Sequence, residues 1–105
     1  MVSDNSIRKQ IKHVISETDA SAKVILFGSR ARGNATDDSD WDIFILLNKP
    51  TVSIKDEQIF RHKLYDLELK IGIPISTFVY SLQDWGSKLL NTPLQQNIQR
   101  EGIVL

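Results

Sequence analysis

Apolar residues along the chain alternate between two spacings, one typical of helices and one typical of strands. Ile7, Ile11 and Ile15 fall on a single helical face. The run KVILF, which ends at Gly28, is instead typical of a buried strand. In chain order, the pattern predicts a helix over residues 5–18, a strand over Lys23–Phe27, a short helix over residues 29–33 and a strand over Trp41–Leu47. It then predicts a helix over residues 54–70, a strand over Ile73–Tyr80, a short helix capped by Ser81 and reaching Leu90, and a helix from Thr92 to Gly102.

Two segments are open to a second interpretation. The sequence YDLELKI, at the end of the third predicted helix, also alternates with period two, so a strand is an alternative there. The last three residues, IVL, could add an edge strand after the final helix. The order α-β-α-β-α-β-α is typical of a compact α/β domain, in which helices cover a sheet.

The length and charge of the chain indicate how many domains it forms and which classes of binding protein can be excluded. A chain of 105 residues forms one core, so we expect a single domain over residues 1–105. The formal net charge of +0 argues against a general nucleic-acid or membrane binder, and no apolar run has the length of a membrane span. The N-terminus lacks the apolar core of a signal peptide, so a cytoplasmic protein is expected. Because cysteine is absent, a metal ion would need oxygen ligands or the histidines His13 and His62.

The stretch GSRARG, which begins at Gly28, has the composition of a phosphate-binding turn between a strand and a helix. Backbone N–H groups and the start of a helix favour an anion in such a turn. A P-loop is excluded, because Asn34 and Ala35 stand where its lysine and its hydroxyl residue are required. A dinucleotide-binding fingerprint is excluded too, since Arg30 stands where that motif requires glycine.

Asp40 and Asp42 form the acidic half of the same segment. They lie two positions apart at the start of a predicted strand, so we expect both carboxylates to face one side of the sheet. An EF-hand calcium loop is excluded, because Ile43 and Lys49 stand where it needs glycine and glutamate. Two carboxylates on one face repel each other unless a cation binds between them. Mg²⁺ is such a cation, because it binds one or two carboxylates together with phosphate oxygens. We therefore predict one site, in which the glycine-serine turn holds nucleotide phosphates and the aspartates hold their metal.

This pattern of Gly-Ser, ten residues and Asp-x-Asp resembles the polymerase β-type nucleotidyltransferase superfamily. GSRARG and SDWDIFILL are similar to its one-domain members, the minimal nucleotidyltransferases. The resemblance implies a small mixed sheet flanked by helices. It also implies transfer of a nucleoside monophosphate from ATP or another NTP to an acceptor hydroxyl, with Mg²⁺ or Mn²⁺ as cofactor. The implied catalytic and metal-binding residues are Asp40 and Asp42, and the implied nucleotide-binding residues are Gly28, Ser29, Arg30 and Arg32, although the two arginines could instead pair with neighbouring aspartates.

The next predicted strand departs from that family, whose active members usually carry a third carboxylate there. The sequence at this point is IPISTFVYS, without an acidic residue, and Ser76 occupies the matching position. We expect the side chain of Ser76 to face the same side as the two aspartates, and Ile75 and Thr77 to face the other side. Glu68, or a group on the acceptor, is the alternative source of the missing proton acceptor.

Three function classes follow from the resemblance. The first is an enzyme that transfers AMP to a tyrosine of a HEPN-domain toxin partner, which would make the chain an antitoxin. The second is a nucleotide-binding or partner-binding module with little or no catalysis, which the missing carboxylate favours. The third is transfer to a small-molecule hydroxyl such as that of an antibiotic. It ranks last, because the larger relatives that do this usually add a helical domain.

Overall fold

The computed structural model describes residues 3–105, in which there are five helices and four strands. In chain order these are α1 (Asp4–Thr18), β1 (Lys23–Phe27), α2 (Ser29–Arg32), β2 (Trp41–Leu47), α3 (Ile54–Ile71), β3 (Ile75–Ser81), α4 (Leu82–Trp85), α5 (Pro93–Glu101) and β4 (Ile103–Val104). Within these residues, no helix combines the length and the apolar character that crossing a membrane requires.

The strands form one mixed sheet in the order β3-β2-β1-β4. Strand β1 is antiparallel to both β2 and β4, whereas β2 and β3 run parallel. The antiparallel register places Phe27 opposite Asp42, and the parallel register places Ser76 on the other side of Asp42. The end of β1 and the beginnings of β2 and β3 therefore meet at one end of the sheet. The predicted α/β class, with a small mixed sheet flanked by helices, is confirmed.

Each face of the sheet buries its own hydrophobic cluster. Helices α1 and α3 cover the first face, and α5 with the segment after α4 covers the second. Because strand residues alternate between faces, Trp41 and Ile43 belong to the first cluster, whereas Asp42 and Phe44 point to the second face. Buried residues of the first cluster include Ile11, Ile15, Leu26, Trp41, Ile43, Phe60 and Leu64, and those of the second are Ile25, Phe27, Phe44, Leu46, Leu89 and Ile98.

Polar caps set the ends of the long helices. The Ser53 hydroxyl accepts a hydrogen bond from the backbone N–H of Asp56, whose carboxylate accepts one in return, so a capping box begins α3. Helix α3 then runs through YDLELKI, so the alternative strand there is not formed. Thr92 caps α5 as predicted. The cap of α1 is Ser3, whose hydroxyl accepts from the N–H of Ser6, so the helix begins one residue before the predicted start at residue 5.

The helix predicted to reach Leu90 is wrong in its extent. Helix α4 ends at Trp85, and residues 86–91 form turns. The side-chain amide of Gln95, on α5, donates to the backbone oxygen of Trp85 at 2.8 Å and accepts from the N–H of Asn91 at 2.8 Å. These bonds hold the segment against α5, and the distant origin of Gln95 explains why local periodicity predicted a longer helix.

Candidate functional site

Gly28 lies at the end of β1, in direct contact with Asp42 on β2. Its φ of +78° falls in the region that favours glycine, and the residue is the N-cap of α2. A Cβ atom at position 28 would collide with the Oδ2 atom of Asp42. Glycine therefore permits a close approach between the turn and the carboxylate, and a larger residue would force them apart.

Asp42 supplies the acidic side of this contact, and the charge of Asp40 acts on it from nearby. Burial raises the pKa of the Asp42 carboxyl, the charge of Asp40 raises it further, Arg32 lowers it, and Glu101 adds a smaller increase. A cation beside the pair would favour the ionised form of Asp42, against burial and against the charge of Asp40. In residues 3–105, no cluster of three or more His, Cys, Asp or Glu side chains is placed to hold a metal. A carboxylate pair is a set of donors that could hold Mg²⁺, because that ion completes its shell with water and phosphate oxygens.

Ser76 lies next to Asp42 on the parallel neighbour strand. Its alternate neighbours Phe78 and Tyr80 pack into the second cluster, on the face to which Asp42 points, whereas Thr77 is buried on the other side. The expected orientation of Ser76 is thus observed. Glu68 is not directed to this face, because its Oε1 atom accepts a hydrogen bond of 2.7 Å from the N–H of Ile75.

Arg30, one of the implied nucleotide-binding residues, lies beneath the loop that leads to Asp40. Its guanidinium is buried and donates to the backbone oxygens of three residues in the loop before the aspartates, at distances from 2.8 to 3.2 Å. It also lies 4.6 Å over the ring of Trp41 and pairs with Asp4 at 3.4 Å. The loop oxygens are those of Thr36, Asp37 and Ser39. Because these partners occupy the guanidinium, Arg30 holds the loop that leads to Asp40.

The comparison with known families matches almost the whole chain. A family model described as polymerase beta, nucleotidyltransferase, covers residues 9–105. The chain belongs to this nucleotidyltransferase family. The match confirms the resemblance that the Gly-Ser and Asp-x-Asp elements indicated, and it identifies the contact between Gly28 and Asp42 as part of a nucleotidyltransferase domain.

Two proteins of Methanocaldococcus jannaschii are similar to this nucleotidyltransferase, and both are provisionally named protein adenylyltransferases. One is 37% identical over 83 residues, which cover 79% of this chain and 76% of that protein. The other is 34% identical over 100 residues, which cover 92% of this chain and 93% of that protein.

Three solved structures share the fold of the nucleotidyltransferase. A provisionally named minimal nucleotidyltransferase has a TM-score of 0.63 and 24% identity, covering 96% of this chain and 94% of its own. A toxin-antitoxin complex with AMP-PNP has a TM-score of 0.67 and 18% identity, covering 91% of this chain and 69% of its own. A mutant of the toxin-antitoxin pair MntA-HpeT has a TM-score of 0.63 and 20% identity, covering 100% of this chain and 72% of its own. At these identities the similarity shows the fold alone.

Arg32 of the nucleotidyltransferase pairs with Glu101, a residue that the sequence analysis did not single out. The Nη1 atom of Arg32 donates to both carboxylate oxygens of Glu101, at 3.2 and 3.1 Å. The Oε1 atom of Glu101 also accepts from the N–H of Gly28 at 3.0 Å. Burial raises the pKa of Glu101, but the hydrogen bonds from Arg32 and Gly28 outweigh burial and lower the pKa overall. A register prediction for the terminal IVL segment could have found Glu101, because β4 pairs with β1 beside Gly28.

The histidines do not join the aspartates. His13 pairs with Glu17 at 3.0 Å on the exposed side of α1. His62 lies on α3 in a cleft whose lining also includes Glu68 and Thr77, on the face away from Asp42. Of the two kinds of metal ligand that the sequence left open, oxygen ligands are the ones that the geometry favours.

Proposed function

We propose that this nucleotidyltransferase transfers AMP from ATP to a hydroxyl group of a partner protein, and that residues 1–105 act as one domain. The contact between Gly28 and Asp42 carries the proposal, since it joins a phosphate-binding turn to a carboxylate pair. The names of the two relatives, at 37% and 34% identity, support adenylyl transfer and a protein acceptor.

The turn after β1 would hold the phosphates of the nucleotide. The N–H of Gly28 and the hydroxyl and N–H of Ser29 are donors at the start of α2, and Arg32 adds a cation that is 47% exposed. Arg30 would act as a positioning residue, because its guanidinium fixes the loop from which Asp40 emerges. In this division, only one of the two arginines on α2 contacts the nucleotide.

Asp40 and Asp42 would hold Mg²⁺, or Mn²⁺ in its place, since their oxygen atoms are hard ligands and Asp42 carries its charge in a partly buried place beside the charge of Asp40. A bound divalent cation supplies charge neutralisation between phosphates and carboxylates, and it polarises the phosphoryl group. In the reaction, the acceptor oxygen forms a bond to the α-phosphorus while the bond to the β-phosphate breaks. Pyrophosphate then leaves, and the acceptor proton passes to a carboxylate of the site or to solvent.

The acceptor that we propose is a tyrosine of a HEPN-domain toxin, with this chain as its antitoxin. Toxin-antitoxin complexes share the fold of this chain, although at identities of 18% and 20%.

Transfer of labelled AMP tests this function. The chain is incubated with Mg²⁺, α-labelled ATP and a HEPN-domain partner, beside a variant that carries Asp40→Asn with Asp42→Asn. We expect label on the partner with the parent chain and none with the variant. Equal labelling by the two chains would contradict the assignment of the aspartates, and removal of the partner's tyrosine identifies the acceptor.

A nucleotide-binding module with weak catalysis is the second candidate, and Ser76 is the observation that favours it. Ser76 is paired with Asp42 where active relatives would have a carboxylate, and Glu68 is bonded to Ile75 instead. Ser76→Asp should then raise the rate of AMP transfer by about 10²-fold, because it restores a metal ligand and a proton acceptor. Rapid transfer by the parent chain that Ser76→Asp does not improve would exclude the weak-module candidate.

A further inference from the structure

We infer that Glu101 is a built-in competitor of the nucleotide: its carboxylate occupies the anion position of the Gly28 turn and leaves when a triphosphate binds. The inference rests on the proposed function, because it concerns the regulation of that same site. According to this inference, Glu101, which lies 73 positions after Gly28 in the chain, also determines the affinity for the nucleotide.

The Glu101 carboxylate uses the donors that a phosphate would need. It accepts from the N–H of Gly28 at 3.0 Å and from Arg32 at 3.1 and 3.2 Å. A backbone N–H beside a guanidinium is a donor set that recognises phosphate as readily as carboxylate. The side chain of Glu101 is 9% exposed, because it packs against the Gly28 turn and Arg32.

The backbone fixes Glu101 above the turn. Strand β4 pairs Ile103 with Leu26 in an antiparallel register, and continuing that register brings residue 101 opposite residue 28. The next residue, Gly102, lies so close to the backbone oxygen of Ile98 that a Cβ atom would collide with it. Since the backbone has little room there, the carboxylate leaves the turn by rotation of its own side chain.

The surrounding charges favour displacement over a role as a third metal ligand. Glu101 adds negative charge beside Asp42. Within residues 3–105, however, three acidic side chains are nowhere placed to share one metal ion. A carboxylate that stayed on Gly28 would repel an incoming triphosphate at short range. Arg32 therefore exchanges one anion for another, from Glu101 to phosphate.

Titration calorimetry with Mg²⁺ and a non-hydrolysable ATP analogue tests the exchange on three full-length chains: the parent, Glu101→Gln and Glu57→Gln. Glu57 is a matched control, because it forms a pair with Arg61 at 2.8 Å on α3, away from the turn. We expect Glu101→Gln to bind the analogue about tenfold more tightly, since a competing charge is gone while the side-chain shape is kept. Glu57→Gln should bind like the parent.

The outcomes separate this inference from the proposed function. Binding by the parent with equal or weaker binding by Glu101→Gln would overturn the inference and leave the proposed function intact. Absence of binding by all three chains, each shown to be folded by its thermal transition, would overturn the proposed function itself.

Nuclear magnetic resonance of the parent chain gives a second readout that needs no variant. Saturation with the Mg²⁺–analogue complex should shift the Glu101 carboxyl carbon signal towards that of a solvated glutamate, and the Gly28 amide signal should shift with it. A Glu101 carboxyl signal that stays unchanged at saturation would contradict displacement.

Discussion

The two sides of α2 differ although its two arginines are only two residues apart. The Arg30 side chain is 5% exposed, and its guanidinium bonds to loop oxygens and lies over Trp41. The Arg32 side chain is 47% exposed and pairs with a carboxylate next to Gly28. One side of this four-residue helix is therefore part of the folded framework, and the other side faces the site.

The buried arginine and the exposed arginine of α2 position the charged site in different ways. The buried arginine donates hydrogen bonds to the backbone oxygens of the loop, and it thereby fixes the position of the loop that leads to Asp40 and Asp42. Within residues 3–105, the exposed arginine pairs with Glu101, the carboxylate that we propose a phosphate displaces. Residue type alone does not assign these roles, because burial and the number of partners decide between them.

Of the two glycines that flank α2, Gly28 should be the one whose replacement by alanine causes the strong loss of ATP affinity, and Gly33 serves as its control. Gly33→Ala places a Cβ atom in the left-handed region, which costs about 1–2 kcal/mol, whereas Gly28→Ala places one at φ +78° and ψ −160°, a combination that is essentially restricted to glycine. Only at Gly28 does the Cβ also collide with Asp42, whereas Gly33 has open space around it. We expect Gly28→Ala to weaken binding of Mg²⁺–ATP by about 10²-fold or more, because the turn and the carboxylate move apart. Equal loss of affinity in both variants, measured by calorimetry, would contradict the special role of the contact.

The next effect is on stability and concerns Arg30. Arg30→Ala should lower the free energy of unfolding by about 1–3 kcal/mol, because it removes the donor of the partly buried bonds to the loop oxygens and uncovers Trp41. Urea unfolding measures this loss. An Arg30→Ala variant that is as stable as the parent but does not bind ATP would contradict the positioning role and would indicate that Arg30 contacts the phosphates.

Arg32→Ala should show the opposite pattern. Its pair with Glu101 is half-exposed on the arginine side, so we expect the free energy of unfolding to fall by about 1 kcal/mol or less. The dissociation constant for Mg²⁺–ATP should rise about tenfold, since a charge-assisted bond to phosphate is lost. Unfolding and calorimetry on the same preparation would test both halves, and unchanged ATP affinity would refute the site-facing role.

The smallest effect is a pH dependence at Asp42. Because the pKa of Asp42 is raised in the folded chain, its ionised form costs stability, and that cost appears as pH rises from below the unfolded pKa through the raised one. Asp42→Asn removes this cost. In metal-free urea unfolding, the free energy of unfolding of the variant should therefore rise relative to that of the parent, by about 1 kcal/mol or less, as the pH goes from acidic to neutral. A difference that stays constant over this pH range would contradict the shift.

Sequence reasoning could predict the fold because local signals and tertiary packing agree in this chain. Helix caps, apolar periodicity and the glycine at position 72 all predict boundaries close to those of α1, α3 and α5. The Gly-Ser and Asp-x-Asp elements could be joined in advance because the register of neighbouring strands brings strand ends together. The assignment of these residues to phosphate and metal stays a prediction.

The remaining features depend on contacts between distant parts of the chain. Glu101 reaches Gly28 across 73 positions, and only the pairing of β4 with β1 reveals it. The buried state of Arg30 depends on loop oxygens that follow it, which carry no sequence signal of their own. The turns after α4 depend on Gln95 in the same way. Local patterns therefore predicted the elements, whereas the long-range polar bonds of Arg30, Gln95 and Glu101 leave no local pattern.

Calorimetric titration of the parent chain with ATP, in the presence and absence of Mg²⁺, tests most directly whether the turn and the aspartates form one site. If they do, ATP binds only when Mg²⁺ or Mn²⁺ is present, because the triphosphate otherwise meets the charges of Asp40 and Asp42 unshielded. The variant with Asp40→Asn and Asp42→Asn should lose this metal dependence while it keeps its fold. Equal affinity of the parent chain for ATP with and without the metal would contradict the shared site.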